Sequence, residues 1–259
     1  MPSIEIVVVS LRSALARRER LQHHLAESPF PWRFFDASDG SQTALPYRPD
    51  RATKLMGREL KPAEIGCFDS HYRVLAEFVN DPKSDYLMVC EDDLWIDFSF
   101  PFVAVARAMG AAGVGYIRFY ARRAPGARHL AYWCDRWLVR YLWEPFGTQC
   151  YLVSVSGARH LLASLTEIAR PIDNEFDRFW VNGIPAYSFV PAPVLELSSP
   201  SSIVRSPDAS GTSAARLAYR GRRLIDRLVS VSSSLRTTSL DRRFAAALSE
   251  AGAAEQQSR

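Results

Sequence analysis

Three adjacent carboxylates, Glu91, Asp92 and Asp93, interrupt the apolar run YLMVCEDDLWID at residues 86–97. Carboxylate oxygens are hard ligands suited to Mg2+ or Mn2+, which take one or two protein carboxylates and complete their shell with water and substrate phosphates. Alternate side chains of an extended chain share a face, so Glu91 and Asp93 can hold an ion together while Asp92 turns toward sugar or backbone. Ligands of open α/β sheets collect beyond the carboxyl ends of the strands, and the triplet ends such a strand. It reads equally as a solvated turn, and spacing alone does not separate the two.

The surrounding elements give the triplet a frame. IEIVVVSL (4–11) is an apolar, β-branched strand, and ALARRERLQHHLA (14–26) carries leucines at helical spacing. PWRFFDASDG (31–40) is a second short strand ending in an Asp-Gly turn. Residues 43–60, with two prolines and no period, read as a loop. KPAEIGCFDSHYRVLAEFVND (61–81) is the clearest helix: Pro62 suits the first turn, and Ile65, Phe68, Tyr72, Leu75, Ala76 and Val79 recur at three and four. Gly66 inside it costs about 1 kcal/mol relative to Ala, so a close-packing or ligand-approach reason is expected. Further on come a helix at 98–113, a strand at 114–123, two strands within 136–155, a helix at 156–169 capped by Ser156, a short helix at 171–183 and a strand within 184–199. Strands alternating with helices imply an α/β sandwich with a mainly parallel sheet.

The runs EIGCFDSHYRVL, YLMVCEDDLWID, GTQCYLVSVSGARHLL, PIDNEFD and PAPVLELSSPSSIV, in this order over roughly residues 3–204, resemble glycosyltransferase family 25, the lipooligosaccharide galactosyltransferase-like enzymes and their collagen-modifying relatives. The resemblance implies a GT-A-like single catalytic domain. It also implies a UDP-sugar donor, typically UDP-galactose, a divalent metal (Mn2+ or Mg2+) at Glu91 and Asp93, and inversion at the anomeric carbon. It assigns Asp173 of PID as the catalytic base, with Asp177 one turn later as the alternative, although Asp173 also reads as a helix N-cap. Donor-binding roles fall on Ser10, Arg12, Asp36, Glu64, His71, Asp92, Gly147 and Gln149. Arg12, Arg17 and Arg20, just beyond the first strand, either reach diphosphate or decorate a helix face, and Arg12, nearest the strand end, is the best placed of the three. Ser10-Leu11-Arg12 stands where the family commonly has an Asn-Leu-Asp or Asn-Leu-Arg type sequence. A catalytically inactive glycan-binding or adaptor protein of the same fold is the alternative, and a metal-dependent phosphodiesterase would be expected to add more histidine ligands.

Composition sets the remaining bounds. With 47% hydrophobic residues in 259, the chain can bury a sizeable core in one or two domains. Cys67, Cys90, Cys134 and Cys150 form no CxxC pair and show no His partner at metal-ligand spacing, which suits a reducing compartment. The N-terminal apolar run precedes its basic residues and reads as a core strand rather than a secretory signal. Residues 1–204 carry 22 Lys and Arg against 23 Asp and Glu, whereas residues 205–259 carry 10 Arg against 5 acids. The expected boundary therefore separates a catalytic domain, 1–204, from a Ser/Ala/Arg-rich tail, 205–259. Within the tail, residues 215–235 form a basic amphipathic helix, suited to an anionic membrane surface or to packing on the domain. The expected partners are a nucleotide sugar and a glycan or glycolipid acceptor, with no nucleic acid. The expected location is the cytoplasm, peripheral to the inner membrane.

Overall fold

The structure is a computed structural model, and it describes residues 1–123, 126–197 and 213–257. In chain order the elements are β1 (Ile4–Ser10), α1 (Leu15–Leu25), β2 (Trp32–Asp36), α2 (Pro49–Met56), α3 (Pro62–Asn80), β3 (Tyr86–Glu91), β4 (Leu94–Ile96), α4 (Phe102–Ala112), β5 (Tyr116–Arg118), β6 (Ala127–Trp133), β7 (Arg136–Tyr141), β8 (Cys150–Ser154), α5 (Val155–Ser164), α6 (Ile172–Phe176), α7 (Phe179–Asn182), β9 (Tyr187–Val190), β10 (Val194–Glu196), α8 (Ser213–Arg236) and α9 (Thr238–Gln257).

Among the described residues the main sheet runs β2-β1-β3-β8-β5-β9-β7-β6, and β10 pairs with β4 in a small second sheet. The pairs β2-β1, β1-β3 and β5-β9 are parallel, and the other four are antiparallel. Six strands thus point one way, with β7 and β8 reversed. The sheet is mostly parallel in strand direction, as expected, and mixed in its pairing. The parallel trio at one end brings the ends of β1, β2 and β3 together.

Successive side chains of the central strands point to opposite faces, and both faces are buried. Ile4, Ile6 and Val8 of β1, with Met88 and Cys90 of β3, join a core with α4 and α9; Val7 and Val9, with Leu87 and Val89, join another with α3 and α5. Helices cover both faces, so both sets of alternate residues are apolar.

Several local expectations change. Residues 49–56 form α2, because Pro49 sits in the first turn, where its missing N–H costs nothing, and Gly57 closes the helix at φ +76°. The cap of α5 is Ser154, whose hydroxyl accepts from the Gly157 amide, rather than Ser156. The predicted helix at 171–183 divides into α6 and α7. Gly66 has a packing reason: a Cβ there would lie 2.4 Å from the Ser38 carbonyl oxygen, so α3 lies directly against the Asp39-Gly40 turn.

Of the stretch after residue 205, the described helix α9 packs on the main core. Phe244 and Leu248 of α9 are fully buried in the same core as β1 and α4. Asp241 accepts hydrogen bonds from Tyr187 at 2.8 Å and Arg140 at 3.1 Å. The change in composition near 205 therefore marks no edge of the hydrophobic core.

Candidate active site

The carboxyl ends of β1 and β3 open onto a cleft of about 270 Å3, lined by Ser10, Arg17, Asp39, Ser70, His71 and the whole acidic triplet, with Arg122 and Glu196. A second cavity of about 300 Å3 lies alongside, lined by Gly147, Thr148, Asp173, Arg123, Tyr219 and Arg223 among others. Cys67, Glu91 and Arg122 line both.

Each triplet carboxylate has a different environment. Asp92 is 5% exposed, accepts a 2.6 Å hydrogen bond from the Ser10 hydroxyl and pairs with Arg17 at 3.1 Å. Glu91 accepts from the Thr148 hydroxyl at 3.2 Å. Its side chain is 29% exposed at the cleft wall, yet the protein packed behind it dominates: burial, then the Asp93 charge, pushes its carboxyl up to about 8. Asp93 is raised too, by burial and then by Glu196 and Asp92, and its buried Oδ1 has no hydrogen-bond partner. An orphaned carboxylate oxygen among mutually repelling acids is the environment that a divalent cation relieves. The oxygen donors Glu91, Asp93 and Glu196 therefore fit the hard metal that the sequence resemblance implies.

His71 is fully buried. Its Nδ1 lies 3.0 Å from the Tyr151 hydroxyl, and its Nε2 is unpartnered, 4.0 Å from Glu91. Burial lowers its pKa to about 4, so the ring is neutral. Cys67, His71 and Glu91 bring one potential ligand atom each within 4.8 Å of one another. Cys67 and His71 stand four apart on one face of α3, which corrects the expectation that no cysteine has a histidine partner at metal-ligand spacing.

Asp173 borders the second cavity. It accepts from the Gly147 amide at 3.2 Å and from the Asn174 amide at 2.8 Å. Asp177 is fully buried inside the fold, ion-paired to Arg118 and accepting from the Phe146 amide at 2.8 Å. Burial works against the charge on Arg118, but the Asp177 carboxylate outweighs it and leaves that pKa raised. The two aspartates thus part company: one faces a cavity, the other anchors the 146–147 loop from behind.

The remaining candidates divide in the same way. Ser10 and His71 line the first cleft, but neither Arg12 nor Asp36 does. The Arg12 side chain is 85% exposed and pairs with Asp36 at 2.7 Å; Arg18 and then Arg12 hold the Asp36 carboxyl below its usual range. Arg17, set one helical turn further on, reaches the triplet instead. Glu64 borders the second cavity, but its carboxylate is engaged by the Lys61 amide at 2.8 Å and by both Arg58 terminal nitrogens at 2.7 Å, so it caps α3. Gly147 has φ +88° and lines the second cavity, whereas Gln149 is buried behind it and lines neither. Arg122 carried no sequence signal, and Glu196 lay inside the PAPVLELSSPSSIV run without being singled out, because both come to the cleft from segments remote in the chain. Burial opposes the charge of Arg122, but Asp173, Glu91 and Glu196 outweigh it and raise its pKa.

Residues 3–106 match the family model described as glycosyltransferase family 25 (LPS biosynthesis protein). Over that stretch the chain is similar to glycosyltransferase family 25. That segment holds Ser10, Arg17, Cys67, His71 and the acidic triplet, while Asp173 and Glu196 lie beyond it. Among curated proteins the chain is 26% identical to procollagen galactosyltransferase 1-A of Xenopus laevis, over 61% of this chain and 28% of that protein. It is 31% identical to the lipooligosaccharide biosynthesis protein lic2B of Haemophilus influenzae, over 34% and 32%. It is 28% identical to the probable inactive glycosyltransferase 25 family member 3 of Bos taurus, over 62% and 29%. The chain therefore spans less than a third of the length of each. A solved glycosyltransferase involved in glycosylation of the PBCV-1 major capsid aligns over 64% of this chain and 68% of its own, with 10% identity and a TM-score of 0.36, too low to carry an argument.

The acidic cleft makes a pH prediction. The folded pKa of Glu91 lies above its ordinary 4.5, so its contribution to stability is fully present below that value and is lost as pH rises through about 8. Without divalent cation, the melting temperature of the native chain should fall more over this interval than that of Glu91→Gln. Parallel curves for the two proteins would rule this out.

Proposed function

We propose that this chain is a metal-dependent, inverting glycosyltransferase that moves a hexose, galactose, from a UDP-sugar to a lipopolysaccharide-type or other surface glycan. The observation that carries this reading is the position of Glu91 in the wall common to both cavities, with Asp92 and Asp93 on one side and Asp173 facing the other. The first cavity is assigned to the donor and the second to the acceptor.

Glu91 and Asp93, with Glu196 on the same wall, would hold a Mg2+ or Mn2+ ion, which would supply Lewis-acid stabilisation for a departing diphosphate. Arg122 adds a fixed positive charge between the two cavities. Asp173 takes the proton of the acceptor hydroxyl, its carboxylate oriented by the Gly147 and Asn174 amides. An acceptor hydroxyl that attacks the sugar face opposite the diphosphate would invert the anomeric carbon. Ser10, Arg17 and Asp92 form a hydrogen-bonded rim for the nucleotide, and Asp177 serves the fold. We place the enzyme in the cytoplasm beside the inner membrane; among the described residues no helix is long and apolar enough to cross a bilayer.

A thermal-shift screen of nucleotide sugars with and without Mn2+ tests the reading. Ligand at about 100 times its dissociation constant stabilises the fold by roughly 2.7 kcal/mol, a shift of several degrees. UDP-galactose should produce that shift only when metal is present, and a complete absence of shift for every nucleotide would reject the transferase reading. The similarity to a relative named probable inactive favours one other outcome, binding without turnover, which would show as a metal-dependent shift with no release of UDP.

A further inference from the structure

The helix α8 is amphipathic, but its apolar side faces away from the protein. On its inner side, the Ser230 hydroxyl donates to the Leu142 carbonyl, the Ser234 carbonyl accepts from Arg140 at 2.7 Å, and Arg223 reaches Glu144 at 3.7 Å. Ser230 and Ser234 are buried. On its outer side, Leu224, Ile225 and Leu228 are 59%, 61% and 64% exposed, and Val229 and Val231 are exposed too. At 100° per residue these five form one continuous stripe, which a helix serving only its own domain would turn inward.

Charge says what covers the stripe. Residues 213–236 contain six arginines and one acid, Asp226, and Arg227 and Arg236 are exposed. A second copy laid on this face would set two arginine-rich helices against each other, an arrangement that like-charge repulsion opposes. An anionic lipid surface accepts both components, apolar side chains at the acyl boundary and guanidinium groups among the phosphates.

We propose that the Leu224–Val231 face of α8 docks the protein on an anionic bilayer. The same helix turns Tyr219 and Arg223 into the cavity that holds Asp173, so docking brings that cavity to the membrane surface, where a glycolipid acceptor would be embedded. The acceptor step rests on the transferase reading; the docking does not.

The full chain is sedimented with sucrose-loaded vesicles of phosphatidylcholine alone or mixed with phosphatidylglycerol. Binding should require the anionic lipid, weaken with salt, and fall by about tenfold or more in the Leu224→Ser/Leu228→Ser double variant, because the lost apolar contact is with the acyl boundary. Both positions are exposed, so the melting temperature of that variant should match the native one. Absence of sedimentation with anionic vesicles, or equal sedimentation of the double variant, overturns the proposal. So does a native dimer that the same substitutions dissociate. Failure here would leave the metal-dependent UDP-galactose shift intact, which separates it from failure of the transferase reading.

Discussion

Asp177→Ala lowers the melting temperature by roughly 6–20 °C, the largest stability effect expected in the chain. The estimate follows from about 3–5 kcal/mol for breaking a buried ion pair and about 2–4 °C per kcal/mol in a chain of this size. The cause is the charge left behind: Arg118 is 1% exposed, and with its carboxylate gone its guanidinium retains only carbonyl and hydroxyl acceptors, Phe146, Gly147 and Tyr116. The Phe146 amide loses its acceptor as well. Differential scanning calorimetry measures the result, and a shift under about 3 °C would show that the pair is not the anchor described here. Replacing both partners together, as Arg118→Met/Asp177→Leu, should recover much of the loss, since an apolar pair leaves no unpaired charge.

That pair also shows where sequence reading ran out. Asp177 was legible as a carboxylate one turn beyond Asp173, and the two looked interchangeable. Only the approach of β5, bringing Arg118 from 59 residues away, turned one of them into a structural anchor. Arg12 failed similarly, since nearness to the strand end in sequence placed it in solvent while Arg17, on the helix, turned back over the strand ends. Local signals fared better. The strands β1 and β3, the helix at 61–81 and the close-packed Gly66 all follow from composition, spacing and sterics within a few residues. The buried α9 was hidden by composition: its alanines and arginines resemble a solvated tail, and only Phe244 and Leu248, four apart, mark the buried face. The acidic triplet was legible as a metal candidate, whereas the second cavity that gives it a reaction partner was not.

Asp93→Ala should have the opposite signature: loss of activity without loss of stability. Its folded pKa is raised above the ordinary 3.8, chiefly by burial, so at neutral pH its charge opposes folding, and that opposition grows as pH rises through the folded value. Removing it relieves repulsion with Glu196 and Asp92, and frees the buried Oδ1 from lacking a partner. The metal-free variant should therefore melt at or above the native temperature. Transfer should nevertheless fall by about 100-fold to 1,000-fold, the usual scale for removing one group that stabilises developing negative charge. Because the lost group is assigned to the cation, the UDP-galactose thermal shift should also lose its dependence on Mn2+. Steady-state transfer assays and melting curves on the same preparations measure both halves. Native activity in Asp93→Ala, or native activity with the divalent ion chelated away, would remove the acidic triplet from the chemistry. A melting temperature well below native would instead show that Asp93 supports the fold, and the charge repulsion described for the cleft would be wrong.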